Sequence, residues 1–214
     1  MPARLARFAP LTGVVFVVLT LIAFLSGGET PNSNASPLKV FHYYTVHKST
    51  VETTSVLFAF AFLFGVFWAG ALAAYLRRMG ASSGLTGLII GGGVLMAVGA
   101  GILGGVEYGL AHNLHYFGAQ TIQTLNVLAN ELFLPLVIGG CVFGIASGLA
   151  IVGGAGLPVW LGWVAIVIGI AAAIPPVGFI SLLVFVLWSL VVSILIYVRS
   201  GREEGAHPVP AAAA

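Results

Sequence analysis

The sequence predicts an all-α fold, a polytopic transmembrane helical bundle of six spans with both termini in the cytoplasm. Three observations predict it. Of 214 residues, 59% are hydrophobic and 7% charged, with a mean hydropathy of +1.10, whereas soluble domains carry about one-quarter charged residues. Apolar runs that suit a bilayer core of roughly 30 Å, which takes about 20 helical residues, recur along the chain. The Lys and Arg residues near the ends of these runs then sort to alternating sides in the way cytoplasmic retention requires.

The first run, about 8–26, follows Arg4 and Arg7. It ends in LSGGETP without a small-x-small cleavage pattern, which favours an uncleaved span over a signal peptide. The next three spans fall at about 55–76, 85–111 and 127–152. The apolar region after GGAGLP is too long for one span. Pro175-Pro176 divides it into 158–174 and 177–198, since adjacent prolines remove two backbone donors and restrict the residue before them. One kinked or re-entrant segment over 158–198 is the competing reading. The final stretch REEGAHPVPAAAA lacks periodicity and large apolar residues, so 199–214 is read as a disordered cytoplasmic tail.

With the N-terminus inside, Arg4, Arg7, Arg77, Arg78, Arg199 and Arg202 all lie inside, and Lys39 and Lys48 outside. The chain is therefore expected to be a multi-pass protein of the plasma (cell inner) membrane, with the lipid bilayer as its main partner. A net charge of +2 without clustering argues against nucleic acid. Cys141 is a lone cysteine in an apolar run, which leaves no disulfide framework and no multi-cysteine metal site. A homo-oligomer or an unidentified membrane partner stays open.

The outer loop, 27–54, starts with Gly, Pro, Asn and Ser, which is loop chemistry. Its second half places Val40, Tyr43, Tyr44, His47 and Val51 at helical spacing, predicting a short amphipathic helix that leads into the second span. His42, Tyr43, Tyr44 and His47 read first as an interfacial aromatic belt, and secondly as a lid over a ligand or metal. The sequon Asn34-Ala35-Ser36 is followed by Pro37 and carries little weight.

Small residues allow close helix approach in lipid. Gly93, Ala97, Gly101, Gly105 and Gly109 recur every four residues in the third span, and Gly140, Gly144 and Gly148 do so in the fourth. The simplest expectation packs one stripe on the other. GIASG at 144–148 departs from the G-x-S-x-G spacing of a nucleophile elbow, so Ser147 reads as a packing residue.

Intramembrane carboxylates are costly and mark candidate sites. Glu107 and Glu131 fall about one turn from the outer ends of the third and fourth spans, with Asn130 beside one and His112 and His115 beyond the other. Glu131 is expected near a helix N-terminus, which favours its charge, and Glu107 near a C-terminus. These five residues are the candidate ligand or proton site; snorkelling to the interface is the competing account. At about 100° per residue, Glu107 points away from the Gly105 and Gly109 stripe and Glu131 away from Gly140. A direct pair then requires Pro135 to rotate the start of the fourth span. Glu107 and His115 lie about 12 Å apart along the helix, too far to share a metal. No His falls in a span core, which argues against haem. No catalytic residue, metal or cofactor is expected.

The loop ending YYTVHK, the segment NVLANELFLPL at 126–136, and LPVWLGW followed by PPVGF at 175–179 together resemble a family of actinobacterial multi-spanning membrane proteins of unknown function. The resemblance covers most of the chain and implies six membrane helices, with no activity to carry over. The acidic residue of its NVLA segment corresponds to Glu131. From all this the expected function is a non-enzymatic accessory, sensor or stress-associated membrane component. The alternative is a small proton-coupled transporter or permease using Glu107 and Glu131.

Overall fold

The computed structural model describes residues 8–174 and 177–205, and all regular secondary structure in them is helical. In order these are α1 (Leu11–Ser26), α2 (Pro37–Val46), α3 (Lys48–Arg78), α4 (Ser83–His112), a 3-10 turn at Leu114–Tyr116, α5 (Ala119–Glu131), α6 (Leu134–Val152), α7 (Val159–Ala172) and α8 (Val177–Gly205). Four segments are long and apolar enough to cross a membrane: α3, α4, α5 with α6, and Ile180–Ser200 of α8. The apolar helices α1 and α7 are shorter, at 16 and 14 residues.

Local chemistry sets the boundaries. Ser36 caps α2 by accepting from the Lys39 amide at 3.4 Å, and Pro37 opens the helix, where its missing N–H costs nothing. Ser82 caps α4 through the Leu85 amide at 3.3 Å. Between α3 and α4 the chain reverses at Gly80, whose φ of +99° suits a residue without a Cβ.

Six helices close into a ring. α1 packs on α3, α3 on α4, α4 on α6, α6 on α7, α7 on α8, and α8 returns to α1. The interior holds Phe16, Trp68, Phe143, Phe185 and Trp188, arranged mostly edge-to-face, the geometry aromatic quadrupoles favour. Side chains pin helices to one another: Ser193 Oγ donates to the Pro10 carbonyl at 2.7 Å and Trp188 Nε1 to that of Leu161 at 2.9 Å. At the arginine-bearing end, Tyr75 and Arg199 both donate to the Gly156 carbonyl. The outward faces carry exposed Phe60, Phe67, Val98, Ile102, Val167 and Leu187, an apolar surface larger than water-soluble monomers tolerate.

The close-packed faces differ from the expected stripes. The third and fourth spans do pair, but through Gly92, Gly99 and Gly139. A Cβ on Gly92 would lie 2.6 Å from the Phe143 amide nitrogen, and one on Gly139 would lie 2.8 Å from the Gly92 carbonyl. Gly101, Gly105, Gly109 and Gly140 meet nothing within 4 Å, while Gly144 and Gly148 pack on α7 at Ala165, Gly169 and Gly162. A glycine-rich helix offers several small-residue stripes, and three-dimensional closure selects one.

Three boundaries also shift. The fourth span, expected from 127, contains a turn at Leu132 and Phe133, and the apolar helix α6 starts at Leu134. The helix expected over Val40 to Val51 is split at His47 into α2 and the start of α3. α8 continues past Val198 to Gly205, into the stretch read as tail; residues 206–214 and the Pro175-Pro176 division lie outside the described residues.

Candidate functional site

α3 and α4 contain 31 and 30 residues, roughly 45 Å each at 1.5 Å per residue, well beyond a 30 Å hydrocarbon core. Their overhang at one end is covered by α2 and α5, which pack on each other and on α4. This cap has its own small core, in which Val40, Tyr44, Val51, Leu110 and Ile122 are all buried. Its polar interior is satisfied internally. Tyr44 Oη donates to Asn126 Oδ1 at 3.3 Å, and Asn126 Nδ2 donates to the Pro31 carbonyl at 3.0 Å. Asn130 donates to the same carbonyl and Gln123 to those of Ser33 and Ala35, so one face of α5 stitches down the loop ahead of α2.

Beneath the cap lies a pocket of about 220 Å³ enclosed by the end of α1, Tyr43 of α2, the first turns of α3 and the last turns of α4. Glu107 lines it, together with Thr50, Thr54 and Ser55. Among the described residues Glu107 has neither a hydrogen bond nor an ion pair. Ser55 is 5% exposed and its Oγ has no hydrogen-bond partner. Buried polar groups are normally paired; the Ser55 hydroxyl oxygen is unpaired and sealed from solvent, whereas the unpaired Glu107 lines the open space. Gly104 faces this turn of α3: a Cβ there would stand 3.4 Å from the Ser55 carbonyl, an ordinary contact.

The five candidate residues stand in separate places. Glu107 faces the interior, on the side away from the open Gly105 and Gly109. His112 is exposed and its Nδ1 lies 3.0 Å from Glu52 Oε1, with Lys48 Nζ 3.9 Å from the same oxygen. His115 is exposed and rests on the Tyr116 ring. Asn130 holds the Pro31 loop. Glu131 is exposed as the last residue of α5, at a helix C-terminus instead of the expected N-terminus, and does not line the Glu107 pocket. Among the described residues no group of three His, Cys, Asp or Glu side chains could hold a metal ion.

Tyr43 and Tyr44 feel the carboxylate. Burial pushes both phenols above their usual range, and the negative charge of Glu107 raises them further. His42 and His47 of the same segment are exposed, His47 stacked on Tyr43. Sequence reasoning missed Ser55, the Glu52–His112 pair and the role of α5. The polar residues Gln123, Asn126 and Asn130, spaced three and four apart, were the available sign of an amphipathic helix.

A second, larger cavity of about 420 Å³ opens between α4, α6, α7 and α8. Its lining is apolar apart from Ser181, whose hydroxyl donates to the Ile168 carbonyl at 2.7 Å. It offers room without directed chemistry, and the chemical site is the smaller one.

The fold and site define a helical membrane protein with a largely apolar, singly acidic pocket beneath a two-helix cap. No family model, curated protein or solved structure matches the chain.

Proposed function

We propose that the chain is a non-enzymatic, six-span protein of the plasma membrane, with both termini cytoplasmic and the cap outside, that senses or retains a small solute in the Glu107 pocket. The observation that carries this reading is the unpaired Glu107 carboxylate lining a 220 Å³ space together with the hydroxyl-bearing Tyr43, Thr50 and Thr54. Ligand sites are typically concave and largely apolar, with a few convergent polar groups. The closed ring supports counting α1 and α7 as spans alongside the four longer segments. Arg77, Arg78 and Arg199 lie at the end opposite the cap, and Lys39 and Lys48 at the capped end, which supports the orientation. The resemblance to actinobacterial multi-spanning proteins is consistent with this placement. Binding is favoured over a proton relay between Glu107 and Glu131, because the two carboxylates occupy different surroundings.

Cysteine labelling tests the proposal. In a Cys141→Ala background, Thr54→Cys places a thiol in the pocket wall and Thr30→Cys one at its mouth. A membrane-impermeant thiol reagent added to intact cells is expected to label both; labelling that requires permeabilised cells would overturn the orientation and the open pocket together.

A further inference from the structure

We infer that the Glu107 pocket takes a primary ammonium group carried on a short apolar stem. The inference rests on the binding reading above and names its ligand class.

Charge comes first. No Lys, Arg or His lines the pocket, and the neighbouring Glu52 is already held by Lys48 and His112. A carboxylate partly removed from water is costly unless it takes a proton or a cation meets it, and a cation is what the pocket lining does not itself supply. The acceptor set narrows the cation. An ammonium carries three N–H donors and no acceptor. Beside Glu107 the wall carries the hydroxyl-bearing Tyr43, Thr50 and Thr54. Thr54 Oγ1 spends its hydrogen on the Thr50 carbonyl at 2.9 Å and presents its lone pairs. These are acceptors for N–H groups, and a quaternary ammonium would leave them unmet.

Size and lining favour a larger, partly apolar cation over a bare ion. A volume of about 220 Å³ is several times the roughly 30 Å³ of one water. A divalent ion such as calcium calls for six to eight oxygen ligands at close range, whereas this pocket supplies one carboxylate. The rest of the wall is apolar, with Phe24 and Phe58 packed edge-to-face at 6.1 Å. Such rings accept an alkyl stem and attract a cation near their faces. A free amine and the ethanolamine headgroup of an aminophospholipid present the same chemistry.

The test uses the full chain, purified in detergent and in phosphatidylcholine nanodiscs. Unfolding temperature is followed against ethylammonium, tetramethylammonium and sodium chlorides at equal ionic strength. Ethylammonium is expected to raise it in a saturable manner and the other two salts to leave it unchanged. Glu107→Gln is expected to weaken the apparent affinity at least about tenfold, and Thr54→Val several-fold, as loss of charge-assisted hydrogen bonds implies. Nanodiscs containing phosphatidylethanolamine distinguish the sources. Stabilisation by that lipid in the native chain but not in Glu107→Gln assigns a headgroup; stabilisation by ethylammonium alone assigns a solute. Equal responses to all three salts, or an undiminished ethylammonium response in Glu107→Gln, would overturn the inference. If Thr54→Cys still labels from outside in that case, the pocket stands and only its ligand class falls.

Discussion

Asn126 joins two segments that are far apart in the chain: its carboxamide oxygen receives the Tyr44 hydroxyl at 3.3 Å while its nitrogen donates to the Pro31 carbonyl at 3.0 Å. Asn126 and Tyr44 are each 1% exposed, so water cannot replace either bond. Asn126→Leu is therefore expected to lower stability by roughly 1–3 kcal/mol, since it orphans the buried Tyr44 hydroxyl and leaves the Pro31 carbonyl with Asn130 as its remaining donor. Tyr44→Phe, which removes one partner and keeps the packing, is expected to cost about 1 kcal/mol. Thermal unfolding of the detergent-solubilised protein measures both; equal effects would show that the carboxamide does not bridge the two segments.

Glycine positions separate contact from coincidence. Gly139→Ala puts a methyl within 2.8 Å of the Gly92 carbonyl, where the helix backbones themselves must move, and a loss of roughly 1–3 kcal/mol is expected. Gly105→Ala meets open space and is expected to be neutral or to stabilise by up to about 1 kcal/mol through helix propensity. The same unfolding measurement checks the pair, and a larger penalty at Gly105 would restore the four-residue stripe as the packing face.

The tyrosines give the cap an alkaline limit. Burial, then the charge of Glu107, raises the phenols of Tyr43 and Tyr44. An acid whose folded pKa exceeds its unfolded value stabilises the fold fully below the unfolded value, about 10 for Tyr. That stability is lost as pH climbs through the folded value. Ultraviolet titration is expected to show two phenols ionising late, together with weakening of the cap above about pH 10. Glu107→Gln is expected to bring both back toward the ordinary value while leaving most of the shift, because burial is the larger cause. A normal titration of all tyrosines would contradict a closed cap.

The Glu52–His112 contact has the geometry of an ion pair but partial exposure, with side chains 25% and 54% accessible. Solvent screens such pairs, so Glu52→Ala is expected to change stability by no more than about 1 kcal/mol. Comparison of unfolding temperatures at low and high salt checks this, and a loss above that size would assign the pair a structural role.

The membrane class of the chain was legible in composition, and the presence of α3 and the extent of α4 in their apolar runs, because hydrophobicity and helical rise are properties of a segment taken alone; the start of α3 at Lys48 was not. The amphipathic α2 was legible in the spacing of Val40, Tyr43 and Tyr44 for the same reason, and the helical periodicity around Glu107 already pointed its side chain away from Gly105 and Gly109. What that side chain meets was not legible. Ser55, Thr54 and Tyr43 come from segments about fifty to sixty residues away, and nothing local marks them as its neighbours. The break after Glu131, which turns an apparent span end into an exposed helix terminus, depends on α5 finding α2 and the Pro31 loop. The choice of Gly92, Gly99 and Gly139 over the more regular stripe depends on which pair of faces lets six helices close. Local pattern sets what each helix can bury; only packing of all the helices together decides what each one does bury, and here it decided that Glu107 faces a pocket without Glu131.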